Sequence, residues 1–527
     1  IPTAVLANPE GVYVGNSTEM LFFTDEDDDG VADSRRVLYS GFGTEDTHHI
    51  IHTLRQGPAG RVYFNQSIYT HSHVETPYGY RDLQAGGVWQ FRPETLELEV
   101  YARGMWNSWG LQFDRWGQSF QSDGAGFEGL GYSFPGAAFV RAEGYDKYIR
   151  NLNPGQPKLC GLEIIDSPQF PDAWQGLLVT CDFRGNRINS FRLTDSNSGF
   201  ISTQQKDLVT STHGAFRPID LQHGPDGALF IADWYNPIIQ HGEVDFRDER
   251  RDHTHGRIWR VTAKDRPLLK RIDFPAASLS TLLDNLKADN SFYRDHAKRE
   301  LKQRGAKAVL PALKDWVGGL DTADPRYENY LSEALWVTQA LDQVDYPLLE
   351  KLLDSENFKI RALAVRVLEE RPTRFASIYD RMAKMIVDRA PRVRNEAIQV
   401  LRKLNTEEAA KLVVRVLDYP LDENLDFSLW NAMRQLKEIW LPSAEKDPLF
   451  FGANLEYLLF SIRAVEDAEA VAPLEALWNE GGISAEYRPG AMELLAERGS
   501  SRMMAAVLED LDLLGDAEDV VAVFRAL

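Results

Sequence analysis

Three segments in the second half of the sequence superpose on one another: YRDHAKREL (293–301), KIRALAVRVL (359–368) and RVRNEAIQVL (392–401). Arg294, Arg361 and Arg394 fall in register, and Ala297, Ala364 and Ala397 follow three residues later. The spacings are 67 and 33 residues, a period of about 33, within the range of helical hairpins stacked into a solenoid. Leu, Ala, Glu, Lys and Arg recur at helical spacing through residues 273–527, and the alanines suit close helix packing. This half is expected to form HEAT-like repeats.

The first half repeats with a different period. RQGPAGRVYFNQ (55–66), DRWGQSFQSD (114–123), SPQFPDAWQGLLVTCD (167–182) and QHGPDGALFIAD (222–233) each set a glycine-marked turn before an apolar strand. Those strands end in a polar residue: Gln66, Asp123, Asp182 and Asp233. EGVYVGN (10–16) is a fifth instance, ending at Asn16. Further alternating pairs follow, such as GGVWQFRPETLELEVYARG. Four antiparallel strands per unit, at a spacing of ~40–60 residues, predict a β-propeller with five units visible and the first incomplete. The join, TAKDRPLLKRIDFPAAS, is polar and carries two prolines. The expected division is a propeller over 1–263, a linker over 264–277 and a helical domain over 278–527.

If each unit runs up and down as strands a to d, the b–c loops and d–a connections leave one rim. His71, His73, His241, His253 and His255 then fall in b–c loops, and His48, His49 and His213 in d–a connections. His52 and His223 lie in innermost strands and His296 in the helical half. The strand ends Gln66, Asp123, Asp182 and Asp233 point to the same rim, with Arg184, Arg187, Arg217 and the charged loop IIQHGEVDFRDERRDHTHGRIWRV (238–261), which includes Glu243 and Arg257. Propellers hold ligands at the channel mouth, so this rim is the expected site. His48 and His49 are candidate general bases, since neutral imidazole takes a proton from a hydroxyl near neutral pH. Asp233, Arg217 and Arg257 are grouped with them as candidate catalytic residues. The rim aromatics Trp106, Trp109, Trp234 and Tyr235 suit sugar stacking. The pairs HSH (71–73) and HTH (253–255) read either as transition-metal ligands, facing one way in extended chain, or as hydrogen-bonded structural histidines.

DEDDDGVAD (25–33) places Asp25, Asp27, Asp29, Gly30 and Asp33 at positions 1, 3, 5, 6 and 9 of a calcium loop. Arg36 stands where the bidentate glutamate of an EF-hand belongs, and the segment falls in a c–d turn, opposite the histidines. A structural calcium clip is expected. Cys160 and Cys181 flank one turn, where a hairpin brings 160 opposite 181 or 182; a cross-strand disulfide and two buried thiols both fit.

Composition narrows the partners. A net charge of −21 disfavours nucleic acid and anionic membrane surfaces. No run of ~18 apolar residues spans a bilayer. With two cysteines and no CxxCH, neither a thiolate zinc site nor an attached haem is expected in this chain. It opens at Ile1-Pro2 without a basic or apolar leader, as a processed form or fragment does.

The segments FGTEDTHHIIHTLRQGPAGRVYFNQSIYTHSH, RPIDLQHGPDGALFIADWYNPIIQHGEVDFRD and RDHTHGRIWRVT resemble the planctomycete and verrucomicrobial family labelled membrane-bound dehydrogenases or haem-binding proteins. That resemblance implies an exported, periplasmic or extracellular protein with a six-bladed propeller, HEAT-like repeats and often a cytochrome c domain, here outside the chain. The propeller is also distantly similar to soluble quinoprotein glucose and sorbosone dehydrogenases, which bind pyrroloquinoline quinone and calcium at the channel mouth. ARGMWNSWGLQFD (102–114) resembles their cofactor segment, with Trp106 in place of the arginine and Ser108 in place of the proline. His48 or His49 sits near the position of their catalytic histidine. The resulting expectation is an oxidoreductase acting on a sugar or polyol. The alternatives are a metal-dependent carbohydrate lyase or hydrolase, and a glycan- or protein-binding propeller with a HEAT surface for a partner.

Overall fold

The computed structural model describes residues 2–46, 50–125, 129–153, 158–240, 243–514 and 516–526. Five antiparallel sheets follow one another along the first half. Sheet 1 runs β1 (Ala4–Asn8), β2 (Gly11–Asn16), β3 (Glu19–Thr24), β4 (Ser34–Ser40). Sheet 2 uses β5 (His52–Gln56) and β6 (Val62–Gln66), then a separate hairpin, β7 (His71–Thr76) with β8 (Gly79–Gln84), before β9 (Gly87–Arg92) and β10 (Glu97–Arg103) complete it. Sheet 3 is β11 (Ser108–Phe113), β12 (Ser119–Asp123) and β13 (Leu130–Ser133); the short β14 (Ala137–Ala138) returns to pair in parallel with β10. Sheet 4 is β15 (Leu159–Ile164), β16 (Leu177–Asp182), β17 (Arg187–Ser196) and β18 (Gly199–Gln204), with β19 (Val209–Thr210) on β17. Sheet 5 is β20 (Pro218–His223), β21 (Leu229–Asp233) and β22 (Arg257–Val261). Among the described residues, sheets 3 and 5 thus hold three strands, not the expected four.

The first strand of each sheet packs on the first strand of the next, β1 on β5, β5 on β11, β11 on β15 and β15 on β20. Arg55 in β5 reaches Asp220 in β20 at 3.3 Å, joining sheets 2 and 5. In sheets 2 to 5 the first strand carries a register shift against the second, between His52 and Arg55, Ser108 and Leu111, Leu159 and Leu162, and Pro218 and Asp220. A bulge increases local twist, which turns each first strand. Gly110 and Gly161 lie in two of these bulges. A Cβ on Gly110 would stand 2.7 Å from the Cys160 carbonyl, and one on Gly161 would stand 2.5 Å from the Asp220 backbone, so both positions need glycine for close approach.

Alternating apolar residues fill the cores. Tyr13, Phe22, Phe42, Phe64, Trp89 and Phe91 cluster in sheets 1 and 2. Cys160, Phe170, Cys181, Ile188, Leu221 and Ile231 cluster in sheets 4 and 5. Of the two readings left open for the cysteines, the structure has buried free thiols, each with its pKa raised by burial. The bulge that begins after the Leu159–Asp182 pair takes Cys160 off the ladder.

Helices begin at α1 (Leu279–Asn285) and continue as α2 (Ser291–Arg304), α3 (Ala306–Gly318), α4 (Tyr327–Ala340), α5 (Tyr346–Leu353), α6 (Phe358–Glu370), α7 (Ile378–Met385) and α8 (Pro391–Leu404). Further helices run on to Ala526. The three repeated arginines sit in α2, α6 and α8, all buried, and do one thing. Arg294 Nη1 donates to the Ala288 carbonyl at 2.9 Å, Arg361 Nη1 to Ser355 at 2.8 Å and Arg394 Nη1 to Asp388 at 2.8 Å. Each ties the start of its helix to the preceding turn. Ala297, Ala364 and Ala397 are fully buried.

Compactness divides the chain at Ala364/Val365, not between strands and helices. Within the first unit, Arg92 Nη2 donates to the carbonyls of Gln339 and Ala340 at 3.3 and 3.0 Å, and Arg294 meets Asp166 at 2.9 Å. These bonds bind the first helices to the sheets. Among the described residues no helix is long and apolar enough to cross a membrane.

Candidate functional site

The polar strand ends are buried and fully occupied. Gln66 Nε2 donates to the carbonyls of Thr70, Leu83 and Ala85 at 2.8–3.0 Å, while its Oε1 accepts from Ser72 Oγ and Trp89 Nε1. Asp123 accepts from the backbone N–H of Trp106 at 2.9 Å, Asn107 at 3.4 Å and Ala125 at 2.6 Å; burial nevertheless raises its pKa. Asp182 accepts from Gly185 N at 2.8 Å and Arg187 Nε at 2.9 Å. Asp233 accepts from Arg217 N at 2.7 Å, Tyr235 N at 3.0 Å, Arg257 Nε at 2.8 Å and Trp259 Nε1 at 2.9 Å. The expected ligand-facing role is therefore replaced: these side chains latch loops onto strand ends, because a buried strand-end acceptor satisfies the N–H groups that the turning chain leaves open. Arg217 is likewise buried, with its guanidinium donating to the carbonyls of Asn236 at 3.1 Å, Phe183 at 2.9 Å, Arg184 at 3.4 Å and Pro237 at 3.3 Å.

What remains accessible gathers on the loops around β21 and β22. Tyr235, in left-handed conformation (φ 53°), carries the Arg257 guanidinium 4.0 Å from its ring centre. His213 stacks on the same ring at 5.9 Å and His255 meets its edge at 6.2 Å. Asp252 anchors the turn, accepting from the N–H groups of Thr254 and His255 at 2.9 Å, and its Oδ2 lies 2.9 Å from His255 Nδ1. The Thr254 N–H, then the His255 ring, hold the Asp252 carboxyl down at about 2. A carboxylate facing Nδ1 places the ring proton there and leaves Nε2 as a base or ligand. An open cavity of about 490 Å³ adjoins these groups and His253. The described part of this loop hangs on Arg251, buried, which donates to the carbonyls of Gln240, Val244 and Asp245 at 2.5–2.9 Å.

The other expected residues are dispersed. His48, His49 and His241 lie outside the described residues. His71 and His73 share the exposed face of β7, as their spacing requires, but His73 stacks on Tyr80 and its Nδ1 bonds the Tyr80 hydroxyl, while the His71 N–H donates to Glu45 at 3.2 Å. The HTH segment is not extended, since Asp252 draws it into a turn. Trp106 is half-buried, with the Arg141 guanidinium 3.5 Å from its ring centre; Trp234 is 39% exposed, and Arg184 and Glu243 are exposed. Among the described residues, Asp25, Asp27 and Asp29 are the one group of three or more carboxylate, imidazole or thiolate ligands within 4.8 Å of each other. No histidine joins them. Asp33 accepts from Glu26 N at 2.6 Å. His213 and Asp252 were placed on the rim by the sequence but given no role there, and nothing in the sequence pointed to Arg251.

A succession of antiparallel sheets followed by stacked helical hairpins is the class these observations define. Residues 1–153 and 134–265 match the model of the family described as domain of unknown function DUF7133, together half of the chain, and the protein belongs to that family. Residues 346–426 match the HEAT repeats model. None of the curated proteins matches the sequence. Similar solved structures include a glucose dehydrogenase, at 16% identity and TM-score 0.35 over 50% of this chain and 82% of that one. The PQQ-bound form of aldose sugar dehydrogenase from Streptomyces coelicolor is similar at 12% identity and TM-score 0.27, over 49% and 93%. A luciferin-regenerating enzyme is similar at 12% identity and TM-score 0.32, over 52% and 81%.

Proposed function

We propose that the chain is an exported quinoprotein-like oxidoreductase that acts on a sugar or polyol. The site sits on the loop rim of a six-bladed propeller, of which this chain supplies five blades over 1–263, with a linker at 264–277 and a HEAT-like domain from 278. The Asp252–His255 pair carries the reading. Asp252 fixes the imidazole through Nδ1, so Nε2 is free to take the proton of a substrate hydroxyl.

Oxidation of an alcohol also removes a hydride, which no side chain accepts, so a bound quinone would supply the acceptor. One donor present suits a carboxylated quinone: Arg257 keeps one buried amino group, Nη2, without a hydrogen bond. His48 or His49 remains a second candidate base, and Asp25, Asp27, Asp29 and Asp33 would hold a structural calcium. Electrons would leave to a cytochrome c or other acceptor, and the HEAT surface would dock a protein partner.

The test is dye reduction by a panel of aldoses and polyols, with the protein loaded with pyrroloquinoline quinone and calcium. Wild-type turnover, with kcat at least about tenfold lower in His255→Ala at unchanged KM, is the expected result. Glycan binding without quinone uptake or turnover would replace this reading with the binding module, which the structural commitment of the four strand-end residues favours.

A further inference from the structure

A small cavity lies within the first compact unit, where the turn between β5 and β6 meets α2 and the last residue of α4, Ala340. Its volume of about 10 Å³ admits one centre the size of a water molecule. Lys298, Arg299 and Lys302 line it from α2, against a single carboxylate, Asp295. Both lysines are matched. Lys298 pairs with Asp295 at 3.2 Å and Glu333 at 3.0 Å, while Lys302 pairs with Glu94 and donates to the Gly60 carbonyl at 3.3 Å. Glu333 and Glu94 are themselves shared, with Arg294 at 3.2 Å and Arg92 at 3.3 Å, and Arg294 also holds Asp166. Five cations around the cavity thus meet four carboxylates, and the charge left over belongs to Arg299.

Arg299 is half-buried and makes no hydrogen bond or ion pair with the described residues; its Nε is buried outright. Burial pulls its pKa below the ordinary arginine value, with Asp295 and Glu10 acting against that shift and Arg55 adding to it, none of them close enough to pair. An arginine stays charged in proteins, so a partly desolvated guanidinium is left without a counter-ion. Gln56, at the end of β5, lines the same cavity with its amide oxygen buried and unbonded. Turned about its last bond, that amide offers N–H donors instead. A water molecule would meet donors but not the charge. An oxyanion is too large for the space, and a second negative charge would meet Asp295.

From the unmatched Arg299 guanidinium and the single-atom size of the cavity it lines, we infer that this is a binding site for a monatomic anion, a halide such as chloride. One such charge neutralises the cluster and gives Arg299 a charge-assisted acceptor. Bound there, the ion fastens α2 to the β5–β6 turn, and so the first helices to sheet 2. None of the residues proposed to act on a sugar takes part.

The linewidth of the chloride NMR signal, measured with the whole chain in sodium chloride, tests this. The wild type is expected to broaden the line, and added bromide to reverse the broadening where sulfate does not. Arg299→Gln, with its melting temperature retained, is expected to bind chloride about tenfold or more weakly. No broadening by the wild type, undiminished binding by Arg299→Gln, or displacement by sulfate as readily as by bromide would each overturn it. If Arg299→Gln does not fold, wild-type crystals soaked in bromide decide the matter: an anomalous peak within hydrogen-bond reach of the Arg299 guanidinium sustains the site, and its absence overturns it. No quinone or sugar is involved, which keeps the result independent of the rim.

Discussion

Both halves of the molecule fasten loops to regular elements with a buried charged side chain, but they do so with opposite chemistry and different constancy. In the helices an arginine donates from the same atom to the carbonyl six residues earlier, at 2.9, 2.8 and 2.8 Å in three repeats. In sheets 3 to 5 an aspartate at the end of the second strand accepts, and its partners change from sheet to sheet. Asp123 bonds only backbone, Asp182 adds Arg187, and Asp233 adds both Arg257 and Trp259. A helical hairpin closes on itself within a few residues, so one local bond recurs unaltered. The loop after a second strand has a different length in each sheet, and each carboxylate takes the donors its own loop delivers.

The comparison breaks most visibly at Asp233. Asp233→Ala removes four hydrogen bonds and leaves Arg257 and Trp259 facing an empty buried acceptor site, and is expected to cost about 3–5 kcal/mol in urea unfolding of the first unit. Arg361→Ala strands the Ser355 and Glu356 carbonyls, to which Nη1 donates at 2.8 and 3.1 Å, and is expected to cost about 1–3 kcal/mol. If the two losses came out equal, the sheet latches would be as local as the helical ones, and the contrast would fall.

Titration sharpens it further. Burial raises the pKa of Asp123 and of Glu163, so in both the folded state favours the protonated acid. Their contribution is fully present below the ordinary carboxylate values and is lost as pH rises through the folded ones. Stability from these two groups therefore falls with rising pH, the reverse of an ion-paired aspartate, and Asp123→Asn should flatten that part of the urea-midpoint profile.

What could be read beforehand follows the same division. The arginine and alanine register in the helices was legible because the helical period is local and repeats the same contact. The sheet punctuation placed Gln66, Asp123, Asp182 and Asp233 at strand ends, but a polar strand end is spelled alike whether it meets a ligand or the next turn's N–H groups. Only the three-dimensional return of Trp106 and Arg217 beside those carboxylates distinguishes the two. Cys160 and Cys181 illustrate the same limit, since a bulge of two residues decides whether they face each other. In RDHTH, residues at i and i+2 were paired as in extended chain, whereas the turn that Asp252 caps brings i and i+3 together.

That turn is where the smallest change in stability and the most informative change in chemistry coincide. Asp252 and His255 lie on an open loop, with His255 at 69% side-chain exposure, so Asp252→Asn should leave the thermal midpoint unchanged. An amide can still accept from Nδ1, yet it lacks the charge that stabilises the imidazolium once Nε2 has taken a proton. Turnover in the dye-reduction assay should therefore fall about tenfold or more in Asp252→Asn, while the loop hung on Arg251 stays in place. A melting temperature that fell with the substitution would make Asp252 one more latch of the Asp233 kind, and the distinction between buried fasteners and an oriented rim histidine would go with it.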